Sequence, residues 1–213
     1  MCEEKLFPLK YYIIAGEASG DLHASNLMKE LKKKDPKAEF RFWGGDLMQA
    51  QGGTLVKHYR ELAFMGFAEV LMNLRTILGN ISVAKKDIEA YKPDAVILVD
   101  YPGFNLRIAE FVKNLGIKVY YYISPQIWAW KTGRVHKIKK VVDKMFVILP
   151  FEEEFYQRYD YKVDFVGNPL LDSLNNLPEI DEAKFRKDNN LNERPIIAIL
   201  PGSRTQEIKV KLP

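Results

Sequence analysis

Short apolar runs alternate with longer amphipathic stretches along most of the chain. Residues 10–15 (KYYIIA), 39–43 (EFRFW), 54–59 (TLVKHY), 94–99 (DAVILV), 117–123 (IKVYYYI) and 144–149 (KMFVIL) read as strands, with a shorter VDFVG at 163–167. The helical stretches fall between them. One runs from Leu22 to Lys34 with a stripe of Leu22, Leu27 and Leu31, closed by Pro36. The longest, 66–91, puts Phe67, Val70, Leu71, Leu74, Leu78 and Ile81 on one face. Another, 105–115, ends at Gly116, a residue suited to a left-handed cap. Ala95 to Val99 is a continuous apolar run that stops at Asp100, the signature of a strand buried on both faces of a parallel sheet. Strands and helices in this alternation predict an α/β fold with a doubly wound, Rossmann-like parallel sheet.

The pattern changes near residue 175. The polar stretch NNLPEIDEAKFRKDNNLNERP separates the first domain, residues 1–176, from residues 177–213, read as a linker and the first βα unit of a second α/β domain. In that unit PIIAIL (195–200) is the expected strand.

Composition adds little beyond a globular class. The 213 residues carry a formal net charge of +4, which permits an anionic partner without requiring one. The single cysteine, Cys2, excludes a disulfide framework and fits a reducing compartment. No apolar run approaches the roughly 20 residues that span a bilayer. The opening MCEEKLFPLK has early acids and no long apolar core, so it does not read as a signal peptide. His23, His58 and His136 are scattered, so no metal set is visible, and nothing points to nucleic acid.

Three loops carry candidate chemistry. Gly16-Glu17-Ala18-Ser19-Gly20-Asp21 joins the first strand to the first helix; it either cradles a ligand or is a tight turn with Ser19 or Asp21 as cap. It is not the G-x-G-x-x-G dinucleotide fingerprint. Ser124-Pro125-Gln126-Ile127-Trp128-Ala129-Trp130 holds two tryptophans that either pin the loop or line a cleft. Leu200-Pro201-Gly202-Ser203-Arg204 suits a phosphate, or is a plain turn with an exposed arginine. Asp100 sits where open α/β sheets bind ligands, or caps the helix after it. The six Lys/Arg between Lys131 and Lys144 form either a solvated face or an anion contact.

Six motifs in order, GEASGD (16–21), VDYPGFN (99–105), SPQIWAWK (124–131), LPFE (149–152), VGNPLLD (166–172) and LPGSR (200–204), together resemble the lipid-A-disaccharide synthase family. The resemblance implies a GT-B architecture of two Rossmann-like domains. It implies an inverting, metal-free and cofactor-free glycosyltransferase of lipid A biosynthesis. The substrates would be UDP-2,3-diacylglucosamine and 2,3-diacylglucosamine 1-phosphate (lipid X), and the products a β-1,6 disaccharide 1-phosphate and UDP. Carried over by motif, Asp100 is the general base on the acceptor hydroxyl and Arg204 neutralises the departing diphosphate. Gly16, Glu17, Ser19, Gly20, Asp21, Asn105, Ser124, Trp128 and Ser203 become substrate-binding residues. Phe64, Met65, Phe67, Val70, Leu71 and Leu74 become a contact with the anionic inner-membrane surface of a Gram-negative bacterium, on its cytoplasmic side. Stretch 131–144 becomes a contact for headgroups or the acceptor phosphate, and oligomers are possible. Measured against the family pattern, the chain reads as a fragment lacking most of its UDP-sugar domain and inactive by itself. The rival readings are another UDP-sugar GT-B transferase or epimerase, and a non-catalytic lipid- or membrane-binding module.

Overall fold

A computed structural model of the chain describes residues 8–62, 74–175, 181–201, 208, 209 and 212. Its frame is a sheet of seven parallel strands: β1 (Lys10–Ala15), β2 (Glu39–Gly44), β3 (Thr54–His58), β4 (Ala95–Val99), β5 (Lys118–Tyr122), β6 (Lys144–Val147) and β7 (Asp164–Phe165). The spatial order is β3-β2-β1-β4-β5-β6-β7. Chain order therefore reverses between β1 and β4, which pair with Ala15 beside Val99 at their carboxyl ends. That reversal opens the crevice in which such sheets bind ligands.

Alternation along the strands divides the core into two layers. Tyr12, Ile14, Val96, Leu98, Val119 and Tyr121 face one side, under α3 (Leu74–Tyr91), α4 (Pro102–Asn114) and α6 (Val135–Val141). Ile13, Ala15, Phe42, Ile97 and Val99 face the other, under α1 (Ala18–Lys34) and α2 (Asp46–Ala50). Helices on both faces explain why β4 is buried at all five positions.

Several boundaries differ from the sequence reading, each for a local reason. Helix α1 begins at Ala18 rather than Leu22, so only Gly16 and Glu17 of GEASGD precede it. Small residues permit this early start: a Cβ on Gly20 would lie 3.2 Å from the Ala15 Cβ. Helix α4 starts at Pro102 rather than 105, because proline has no N–H to satisfy and its fixed φ suits the first turn. SPQIWAWK contains a short helix, α5 (Ile127–Trp130), followed by a 3-10 turn at Thr132–Arg134. Helix α7 spans Phe151–Gln157, and Gly116 takes the left-handed φ of 75°.

The chain divides into two compact units, Met1–Leu171 and Asp172–Pro213. Helix α8 (Pro169–Asn175) spans that division, and α9 (Glu182–Asp188) lies in the second unit. PIIAIL is not a strand here. Among the described residues no strand pairs with it, and Ile197 and Leu200 are each 88% exposed. A strand needs a ladder partner, whatever its apolar content.

One polar network crosses the first layer. Tyr12 Oη donates to Asp87 Oδ2 at 2.8 Å, and Trp43 Nε1 donates to Tyr12 Oη at 2.8 Å. Arg41 grips Asp87 with Nε to Oδ2 (2.8 Å) and Nη2 to Oδ1 (2.6 Å). Burial alone would raise the Asp87 carboxyl, but the Arg41 and Tyr12 hydrogen bonds outweigh it and hold the group below its ordinary value. The network bolts α3 to β1 and β2. Asp87→Ala strands a guanidinium and a buried hydroxyl, and is expected to cost about 2–3 kcal/mol. Urea denaturation of the two proteins checks this.

Candidate active site

The site is built on the backbone at the end of β4. Asp100 and Tyr101 both adopt left-handed conformations, with φ of 45° and 48°. Each costs on the order of 1 kcal/mol for a residue other than glycine, so something must hold them. Asn105 Nδ2 donates to the Val99 carbonyl (3.2 Å) and the Asp100 carbonyl (2.7 Å). Tyr121 Oη, from β5, donates to the Asp100 carbonyl at 2.6 Å. The Asp100 N–H donates to the Tyr122 carbonyl at 3.2 Å. On the other side the Tyr101 ring packs onto Gly16, where a Cβ would lie 2.5 Å from it. Only glycine fits there.

This twist fixes Asp100 at the mouth of a cleft of about 300 Å³, shared with Ser124, Trp130, Lys131, Arg134 and Glu152. Burial, and then the charge of Glu17, raise the Asp100 carboxyl above its ordinary value, against a weaker opposing hydrogen bond from the Tyr101 N–H. A carboxylate made more basic at a cleft mouth suits proton abstraction.

Other acids nearby do different work. Asp21 Oδ1 accepts from the N–H groups of Gly45 (2.7 Å) and Met48 (3.1 Å), and Oδ2 from that of Leu47 (3.1 Å). It is buried and clamps the start of α2. Glu152 is 1% exposed and accepts from Ser124 Oγ and from the N–H groups of Ile148 (3.2 Å) and Leu149 (2.9 Å).

The expected substrate residues therefore separate. Glu17 stands beside Asp100 electrostatically, and Ser19 is exposed on the first turn of α1. Gly16 and Gly20 are packing positions against Tyr101 and Ala15. Asn105 is fully buried and holds the Asp100 backbone through its Nδ2. Ser124 lines the cleft but spends its hydroxyl on Glu152. Trp128 packs edge-on against Phe151, centroids 4.9 Å apart. The exposed cleft tryptophan is Trp130, at 74%. A half-turn of helix exchanges their roles, which spacing in a presumed loop could not reveal. Ser203 and Arg204 lie outside the described residues, as do Phe64, Met65, Phe67, Val70 and Leu71 and the side chain of Leu74. Among the described residues no group of three His, Cys, Asp or Glu side chains could hold a metal, and no helix is long and apolar enough to cross a membrane.

A profile of the lipid-A-disaccharide synthetase family matches residues 11–213. The chain belongs to that family. It is 44% identical over 197 residues to a lipid-A-disaccharide synthase of Geobacter metallireducens, covering 92% of this chain and 51% of the relative. It is 43% identical over 208 residues to one of Myxococcus xanthus, covering 97% and 54%. The chain thus spans about half the length of the curated relatives it matches. Solved structures with a similar backbone include the UDP-N-acetylglucosamine 2-epimerase of Rickettsia bellii (TM-score 0.61, 15% identity, 87% of this chain and 52% of that one). Another is the UDP-GlcNAc 2-epimerase of Neisseria meningitidis bound to UDP-GlcNAc (TM-score 0.56, 14% identity, 78% and 48%). At such identities the likeness shows the fold, a GT-B-type Rossmann-like sheet, and says nothing of the reaction.

Two stability outcomes follow. Glu152→Ala leaves two partly buried N–H groups and the buried Ser124 hydroxyl without their acceptor, at an expected cost of about 2–3 kcal/mol in a denaturant titration. Asp100→Asn is expected to act in the opposite direction. An acid with a raised folded-state pKa loses stability as pH climbs from its unfolded to its folded pKa, so its full cost is present above that folded pKa. Asparagine removes that charge and tolerates the left-handed backbone. Its melting temperature measured above that folded pKa should therefore rise, whereas a fall would mean that the Asp100 charge is stabilising.

Proposed function

We propose that this chain is the acceptor-side half of a lipid-A-disaccharide synthase, with residues 1–176 as the acceptor domain and 177–213 beginning the UDP-sugar domain. The reaction moves 2,3-diacylglucosamine from UDP to the 6-hydroxyl of lipid X, releasing UDP and inverting the anomeric centre. The observation that carries the reading is Asp100: a carboxylate of raised basicity, on a pinned backbone, at the switch point of the sheet. Family membership supplies the substrate class.

The acceptor hydroxyl is a poor nucleophile until a base draws off its proton as the new bond forms. Asp100 takes that proton. Glu17 keeps Asp100 basic, and Arg204 balances the negative charge that gathers on the leaving diphosphate. Both substrates carry acyl chains, so catalysis would take place against the cytoplasmic face of the inner membrane. The apolar residues between 64 and 74 are the contact proposed for it.

The test is UDP release from UDP-2,3-diacylglucosamine and lipid X in detergent micelles. It is run on the chain as given and on the chain joined to the C-terminal half of the Geobacter metallireducens relative. Activity is expected in the joined form, with Asp100→Asn lowering kcat by about 10²- to 10⁴-fold. Full activity in that variant would remove Asp100 as the base.

The pH profile gives a second check. A base works only when deprotonated, so kcat/KM should fall as pH drops through the raised Asp100 pKa, giving an acid limb above the ordinary aspartate range. Glu17→Gln removes the neighbouring charge and should shift that limb to lower pH. An unmoved limb would mean that a different group controls it.

A further inference from the structure

We propose that Arg134 and Lys131 form a phosphate subsite in the Asp100 cleft, with Trp130 as the platform for the sugar that carries the phosphoryl group at its C1. The proposal rests on the glycosyltransferase reading and names how that site would recognise charge.

The fold sorts the basic run into two sets. Lys137 Nζ pairs with Glu110 at 2.6 Å, Lys139 Nζ donates to the Tyr159 carbonyl at 2.9 Å, and Lys144 Nζ pairs with Asp164 at 3.0 Å. Lys140 is exposed on α6 and does not line the cleft. Lys131 and Arg134 do line it, in company with Asp100. Among the described residues neither has a carboxylate partner. Arg134 is half-buried, which is costly for a guanidinium without an anion. Its position is marked by Tyr121. Burial holds that hydroxyl far above its ordinary value, and the Arg134 charge opposes the shift. Since Tyr121 is bonded to the Asp100 carbonyl, the guanidinium and the base act on one neighbourhood.

Chemistry selects the ligand. A guanidinium fork and an ammonium suit phosphate oxygens, which carry close to two charges at neutral pH when the phosphate is a monoester. Lys131 Nζ lies 4.7 Å from the centroid of the Trp130 ring, so a cation and an apolar face are presented together. A pyranose can lay its C–H face on that ring while its phosphate meets the two cations. Two substrates could supply the group, the monophosphate of the acceptor or the diphosphate of the donor.

Steady-state kinetics of the joined form distinguish these sources. Arg134→Ala should raise one KM by about 10- to 100-fold, the loss expected for a charged hydrogen-bond partner. A rise for lipid X identifies the acceptor phosphate, and a rise for the UDP-sugar identifies the donor diphosphate. Arg134→Lys should recover part of the loss. If neither KM moves, the subsite is wrong although the transferase reading stands.

A binding measurement covers the converse case, in which no form is active and the transferase reading itself fails. Glucosamine 1-phosphate is titrated into the chain as given, with tryptophan fluorescence as the readout and glucosamine as control. The sugar phosphate should change the signal and glucosamine should not. The change should weaken with added salt and disappear in Trp130→Phe and in the Lys131→Ala, Arg134→Ala pair. An equal response to glucosamine, or a response that survives in the double variant, overturns the proposal. Unaltered urea midpoints in the variants show that the fold is intact.

Discussion

The Asp100 carbonyl oxygen accepts two hydrogen bonds, one from a buried amide on α4 and one from a buried phenol on β5. Much of the site depends on that small junction. Two successive left-handed residues would relax if the oxygen were free, and Asp100 would swing away from the cleft. Asn105 and Tyr121 are both fully buried, and both determine where the carboxylate points. The reversal of strand order explains why the junction lies here. Only between β1 and β4 do two crossovers depart in opposite directions, leaving room above the sheet for Gly16 to receive the Tyr101 ring.

The sheet was readable because its strands are apolar runs with little competing signal. Ala95 to Val99 has one explanation at that length and composition, and so does its abrupt end at an acid. Helix starts were less readable. Ser19 and Gly20 look like a loop because serine and glycine are weaker helix formers than alanine, but the bare Cα of Gly20 is what lets α1 begin against Ala15. PIIAIL shows the opposite limit. Its apolar content is that of a strand, and content cannot supply the neighbour a strand pairs with.

At the site, the sequence disclosed residue types better than directions. Asp21, Asn105 and Ser124 each turn a polar group onto the protein: the Asp21 carboxylate onto the amides at the start of α2, the Asn105 Nδ2 onto the end of β4, and the Ser124 hydroxyl onto Glu152. Nothing in a spacing distinguishes a polar group aimed at a ligand from one aimed at the backbone. Tyr121 was hidden in a run of three tyrosines, of which the pleat buries only the middle one completely. Glu152 was visible in LPFE without a role, because two of its three partners are main-chain groups that any residues could provide and the third, the Ser124 hydroxyl, lies 28 positions away in the chain.

The three acids around this edge of the sheet differ in how many hydrogen bonds their carboxylates accept. Asp21 accepts three from backbone N–H groups, and Glu152 accepts two from the backbone and one from a hydroxyl. Asp100 has the Tyr101 N–H to set against burial and a like-charged neighbour, and those two prevail. A protein selected for stability alone would not bury a carboxylate beside Glu17 on a strained backbone. Keeping one there makes sense where a proton has to be taken up, and the pinned junction beneath it keeps that cost confined to the mouth of the cleft.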